Sequence, residues 1–188
     1  MSARVDAIVI GGSSGALEAL SALLPALPAA CAVPIAVVIH LPPTSPSHLP
    51  EVLGARAPLP VREVEDKEPA DPGVIYVAPP NHHLLVERGG TFALSDDQLL
   101  HFSRPAIDVL FVSAAGAYGG RLAGVLLSGA NADGADGLVA IKRAGGLAIV
   151  QSPDDAETPV MPQAALARIQ PDHLLPAREI GAVLGRLT

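Results

Sequence analysis

Apolar residues along the chain fall into two rhythms. Five short runs are apolar almost without interruption: RVDAIVI (4–10), PIAVVIHL (34–41), GVIYVAPP (73–80), RLAGVLLS (121–128) and LAIVQS (147–152). Runs of that length, rich in Val and Ile, predict strands buried on both faces. Between them the apolar positions recur at helical spacing, as at Leu17, Leu20 and Leu24 of GALEALSALL (15–24). RPAIDVLFVSAAGAYG (104–119) predicts a helix with Pro105 near its first turn, and DGADGLVAIKRAGG (133–146) one stopped by Gly145-Gly146. Two more are expected at MPQAALARI (161–169) and PAREIGAVLGRL (176–187), and a short one, interrupted by Pro50, within SPSHLPEVLGAR (45–56). LPVREVED (59–66) alternates as an edge strand does. HLLVERGGTFALS (83–95) sets two apolar-rich runs around Gly89-Gly90, the pattern of a β-hairpin.

Strands alternating with helices predict an α/β fold, a three-layer doubly wound and mostly parallel sheet with an added antiparallel β-hairpin. No repeat and no long linker divides the chain, so residues 1–188 are expected to form one domain. In such sheets sites gather at the carboxyl ends of the strands, and candidate chemistry is sought there.

Composition narrows the function. Hydrophobic residues make up 49% and charged residues 16%, enough for a substantial core. The 19 acids against 12 bases leave a net charge of −7, and there are three Phe, two Tyr and no Trp. A nucleic-acid partner is not expected, since it needs a basic face and rings for stacking. Cys31 is the single cysteine, which excludes an intrachain disulfide and a cysteine-based metal site. Residues 19–39 carry no charge, but Pro25, Pro28 and Pro34 interrupt them, so no membrane insertion is expected. The N-terminus lacks the long apolar stretch of a signal peptide, and a cytoplasmic location follows as the expectation.

The first strand runs into IGGSSGALEAL (10–20), where Gly11-Gly12-Ser13-Ser14-Gly15 fits G-x-S-x-G with Ser13 at its centre. A sharp strand-to-helix turn lifts one side chain out, and the helix start offers N–H groups to an oxyanion. The dinucleotide pattern G-x-G-x-x-G matches poorly, and its ribose-binding acid would stand where His40 stands. No G-K-[ST] follows, so a P-loop is excluded. A purely structural Gly-Ser turn accounts for the motif equally well when it is taken alone. His40 shifts that balance, because it ends AVVIH (36–40) and neighbouring strand ends lie roughly 5 Å apart. A third strand end, SGANADGADG (128–137), offers Asp133 and Asp136. Either could simply cap a helix. Asp133 is nearer the strand end and is preferred as the acid that orients His40. The chain order Ser, His, acid differs from the Ser, acid, His of α/β-hydrolases. His82, His83 and His101 lack recognisable metal-ligand spacing, and Arg104 and Asp108 are read as bracing a helix start.

These residues belong to a wider set: IGGSSGALEAL, VIHLPP, YVAPPNHHLLV, FSRPAIDVLF, SGANADGADGL and VMPQAAL, in that order and over essentially the whole chain. The set resembles the catalytic domain of CheB-type chemoreceptor glutamate methylesterases. The resemblance implies hydrolysis of glutamate γ-methyl esters, and deamidation of certain glutamines, on the cytoplasmic helices of methyl-accepting chemoreceptors. It implies a Ser13, His40, Asp133 triad, with no metal and no organic cofactor. It places oxyanion and substrate contacts at Ser14, Gly15, Ala130 and Asn131. The family's S-T-G-G elbow reads Ser13-Ser14-Gly15-Ala16 here, and its T-G-M-G-x-D-G loop carries Ala130 for Met and Asn131 for Gly. The regulatory receiver domain found in many members has no counterpart ahead of the first strand, which implies a catalytic domain without one. Asp133→Asn is expected to fold normally and lose most activity. The rival expectations are a nucleotide-binding domain and a catalytically weak domain of the same fold that binds receptors.

Overall fold

The computed structural model describes residues 4–42, 44 and 47–188. Its centre is strand β1 (Ala7–Gly12), every residue of which is buried. Successive side chains of a strand point to opposite faces. Ile8 and Ile10 therefore join one core, and Ala7 and Val9 the other. β2 (Ile35–Ile39), β4 (Ile75–Val77), β7 (Leu122–Leu126) and β8 (Leu147–Gln151) repeat the pattern. The edges are β3 (Val61–Glu63) and β9 (His173–Leu175). All seven are parallel, in the order β3-β4-β2-β1-β7-β8-β9.

Helices cover both faces, as continuous apolar strands require. α1 (Ala16–Leu23) and α6 (Ala177–Leu187) pack together on one side, where Leu20, Leu23, Ile180 and Leu184 are buried. α3 (Ile107–Tyr118) and α4 (Ala135–Arg143) cover the other, with Phe111, Leu138 and Ile141. The short α2 (Leu49–Gly54) and α5 (Val160–Leu166) fill the flanks. The hairpin β5 (His83–Glu87) and β6 (Thr91–Ser95) forms its own two-stranded sheet against α3.

Several boundaries move from expectation. Gly11 and Gly12 lie inside β1, so the elbow proper begins at Ser13. Pro105 precedes α3, in a cis peptide bond with Arg104, and does not occupy its first turn. α4 starts at Ala135, which leaves Asp133 in the turn before it. β9 was not expected: three residues between prolines carry no periodic signal. The helix expected within 45–56 spans 49–54, and residues 45 and 46 lie outside the described ones.

The order of strands places the site. The chain moves from β1 to β2 on one side and later returns to β7 on the other. The carboxyl ends of β2, β1 and β7 therefore open onto the crevice where the winding reverses.

Candidate active site

Ser13 follows β1, His40 follows β2, and the Asp133 loop follows β7. Backbone hydrogen bonds tie the three ends together. The Ser13 N–H donates to the Ser128 carbonyl (2.9 Å), and the His40 N–H donates to the carbonyl of Gly12 (3.3 Å). Gly15 turns the chain into α1 with φ at +78°, a left-handed conformation natural to glycine. A Cβ there would stand 2.6 Å from Ser128 Oγ and 2.7 Å from Glu157 Cβ. The elbow is thus held between β1 and the 128 and 157 loops.

Asp133 is fully buried, and each of its oxygens is used. Oδ2 accepts from His40 Nε2 (2.7 Å) and from the Ile107 N–H (2.7 Å), and Oδ1 accepts from the Asp108 N–H (2.9 Å). The two backbone donors are the first residues of α3, where the helix dipole also favours an anion. Burial alone would push this carboxyl up. The His40 hydrogen bond, the two N–H groups and the His40 charge outweigh it and hold Asp133 below the usual carboxylate range. An ionised Asp133 accepts, so His40 carries its proton on Nε2. The lone pair then sits on Nδ1. The His40 side chain is 12% exposed. Among the described residues no hydrogen bond joins Ser13 Oγ to the His40 ring; the two meet through the backbone of Gly12. Nucleophile–base bonds commonly tighten only when substrate arrives.

The residues expected at the oxyanion differ in placement. Ser14 is exposed and Gly15 half-buried at the helix start, while Ala130 is exposed beyond β7. Asn131 turns inward: its Oδ1 accepts the Asp133 N–H (3.0 Å), so the side chain braces the acid loop. Gly134, with φ at +91°, carries the chain from Asp133 into α4 under Leu126 and Ile107.

Sequence reasoning missed most of the supports. Ser128 is buried; its hydroxyl donates to the Ser14 carbonyl (2.6 Å) and accepts the Thr158 N–H (2.8 Å). Buried Gln151 takes the Ser128 N–H (2.8 Å) and donates to Asp155 (2.8 Å). Asp108 braces more than its own helix: it accepts from Gly137 of α4 (2.6 Å) and from His101 Nε2 (2.9 Å). Burial and the neighbouring Asp133 charge push the Asp108 carboxyl up, against the pull of Gly137 and His101.

His101, Asp108 and Asp133 bring donor atoms within 4.8 Å of one another. Their lone pairs are already turned to Gly137, His40 and the α3 N–H groups, so the set does not converge on a cation. His83 is likewise engaged at both nitrogens, by the Gln98 carbonyl and the Ala106 N–H. His82 lies near Asp96 at the surface, and Arg104 ties Asn81 to the 96–97 backbone.

Two depressions flank the elbow. One, of about 360 Å³, is bordered by Gly15, Glu18, Gln151, Asp155 and Glu157. The other, of about 460 Å³, is bordered by Gly15, Leu17, Val52, Arg56 and the same two glutamates. Glu18 and Glu157 border both, and each wall also carries an arginine, Arg178 in the first and Arg56 in the second. No described helix is long and apolar enough to cross a membrane.

Comparison with known proteins gives a consistent answer. A family model described as CheB methylesterase matches residues 8–184. A putative protein-glutamate methylesterase/protein-glutamine glutaminase from Leptospira interrogans is 43% identical over 97% of this chain and 94% of its own length. A protein-glutamate methylesterase/protein-glutamine glutaminase from Anaeromyxobacter dehalogenans is 40% identical, and there the chain spans 54% of the relative. The crystal structure of the Thermotoga maritima CheB methylesterase catalytic domain superposes with a TM-score of 0.93. It is 32% identical and covers all of both chains.

Proposed function

The chain belongs to the CheB methylesterase family, and from that premise we propose that it removes methyl groups from glutamate γ-methyl esters of chemoreceptor cytoplasmic helices by Ser13-His40-Asp133 catalysis. Deamidation of glutamines at such positions is the same acyl transfer with ammonia leaving. A substrate on cytoplasmic receptor helices makes the cytoplasm the site of action in this proposal.

The observation that carries the reading is the 2.7 Å bond between His40 Nε2 and a buried, doubly anchored Asp133 at the strand end beside Ser13. With Nε2–H committed to Asp133, His40 Nδ1 is the base. It takes the Ser13 proton as Oγ attacks the ester carbonyl. The oxyanion forms against N–H groups at the elbow, around Ser14 and Gly15, and at the 130–131 loop. Collapse breaks the C–O bond, and methanol leaves with the proton from His40. Water then attacks the acyl-serine, with His40 again as base, and releases the free glutamate. Asp133 stabilises the imidazolium at both steps. No metal or organic cofactor enters these steps.

The test is methanol release from a methylated receptor signalling fragment, with Ser13→Ala as control. Release by the parent alone supports the reading, and equal release by both removes Ser13 from it. The rival is a domain of this fold that binds receptor without turnover. Binding of the fragment with no methanol from the parent would identify that case.

A further inference from the structure

Of the described large apolar side chains, Phe102 and Leu99 are the most exposed, at 97% and 58%, and Leu100 beside them is 40% exposed. All three stand on the loop between β6 and α3. The exposure is built in. Leu100 and Ser103 exchange two backbone hydrogen bonds (3.1 and 2.9 Å). The central residues of that tight turn, His101 and Phe102, are both left-handed, with φ of 50° and 60°. That turn geometry normally selects Asn and Gly. Here it is made by His and Phe, which strains the backbone and drives the ring outward. The loop base is fixed by Arg104, which donates to the carbonyls of Asp96 and Asp97 and to Asn81 Oδ1. His101 anchors the turn itself on Asp108.

We infer that this turn is a docking knuckle, and that it seats the apolar face of the methyl-esterified substrate helix across the candidate site. The inference rests on the hydrolase reading above. Position argues for that occupant. His101 lies within 4.8 Å of Asp133, which contacts His40 directly. A helix with its side chains is about 10–12 Å wide. One that delivers an ester to Ser13 therefore reaches the knuckle. Charge disfavours one other occupant. Asp96 and Asp97 are exposed at the loop base, and such acids, on a chain of net charge −7, repel an anionic bilayer.

Two substrates and three variants test this. Phe102→Asn keeps a residue that tolerates the left-handed turn and removes the ring. Phe102→Leu restores apolar surface, and Leu99→Ser thins the patch independently. A methylated receptor signalling fragment is compared with a short peptide carrying one glutamate γ-methyl ester. Phe102→Asn is expected to raise KM for the fragment by about tenfold or more, as for loss of one buried ring. Leu99→Ser does so less strongly, Phe102→Leu recovers most of the loss, and the short peptide is turned over as by the parent. Unchanged KM for the fragment overturns the proposal. So does an equal loss on both substrates, which would make the turn a support for His101 alone. Loss of binding to phosphatidylglycerol vesicles with an unchanged fragment KM would assign the knuckle to lipid and overturn it too. If the parent releases no Ser13-dependent methanol from the fragment, the underlying reading fails first, whatever Phe102 does.

Discussion

Replacing Asp133 by Asn exchanges an oxygen for an NH2 group at a point where three N–H groups already converge. Oδ2 serves His40 and Ile107, and Oδ1 serves Asp108. Asn offers one acceptor and one donor. If its oxygen faces His40 and Ile107, its NH2 opposes the Asp108 N–H. If the amide flips, the NH2 opposes the Ile107 N–H, and His40 must accept at Nε2. Its proton then moves to Nδ1 and the base is lost. Either way one buried N–H is left unpaired, which costs about 1–3 kcal/mol. The expectation of normal folding therefore needs amending: Asp133→Asn should fold, but with a stability deficit of about that size. On the rate side, an acid-to-amide change in a serine triad costs on the order of 10⁴ in kcat.

Urea unfolding and methanol release measure the two effects separately. The pH dependence gives a third reading. Asp133 is held below its ordinary value, so its contribution is present above the unfolded carboxyl pKa, about 3.9, and is lost as pH falls through the lower folded value. The stability gap between parent and variant should therefore close on acidification. A variant as stable as the parent at pH 7 would refute the hydrogen-bond argument. A kcat within tenfold of the parent would refute the role given to Asp133.

Two further substitutions probe the supports. Asp108→Asn should behave oppositely, since its oxygen can still accept from Gly137 and its NH2 can donate to a re-tautomerised His101. The Asp108 carboxyl is pushed up, so its favourable contribution is complete below the unfolded pKa and disappears as pH rises through the folded one. The variant should match or exceed parent stability at pH 8 in urea unfolding, and a deficit above about 1 kcal/mol would contradict this. Gly15→Ala sets a Cβ against Ser128 Oγ and Glu157 in a left-handed turn. The backbone penalty of about 1–2 kcal/mol, with the disturbed Ser128 bonds, should lower Tm by several degrees and abolish turnover. An unchanged Tm would show that the elbow can relax.

The architecture was legible because burial leaves a simple trace. AIVI, IAVVI and AGVLL are continuous because each strand is covered on both sides, and the Gly89-Gly90 pair marked its hairpin correctly. What escaped had weak local signal. β9 is three residues held only at the sheet edge by β8. The start of α3 was set too early because Pro105 suits a first helical turn, while Ala106 spends its N–H on His83 and the helix begins one residue later.

The site divides along a similar line. Ser13, His40 and Asp133 could be proposed together because a parallel sheet converts strand ends into neighbours, and each follows a strand that its own residues declare. The choice of Asp133 over Asp136 rested on one turn of chain. The structure supplies a stronger reason that no local reading contains. Asp136 is exposed, and its partner is Arg168. Asp133 meets the first N–H groups of α3, a helix that begins 26 residues earlier in the chain. Asn131 adds a second role to its place beside the acid. Its Oδ1 accepts the Asp133 N–H, so the side chain braces the loop that the proposal sets against the substrate. Residues that face a substrate and residues that hold the loop share the same few positions after β7, and only the direction of each hydrogen bond separates them. Asp108 makes the point most sharply. Like Asp133 it is a buried acid beside a helix start that contacts a histidine, yet one is pushed up and the other held down. Two backbone N–H groups of α3 and the His40 bond outweigh burial at Asp133, whereas at Asp108 burial and the Asp133 charge outweigh the Gly137 N–H of α4 and the His101 bond.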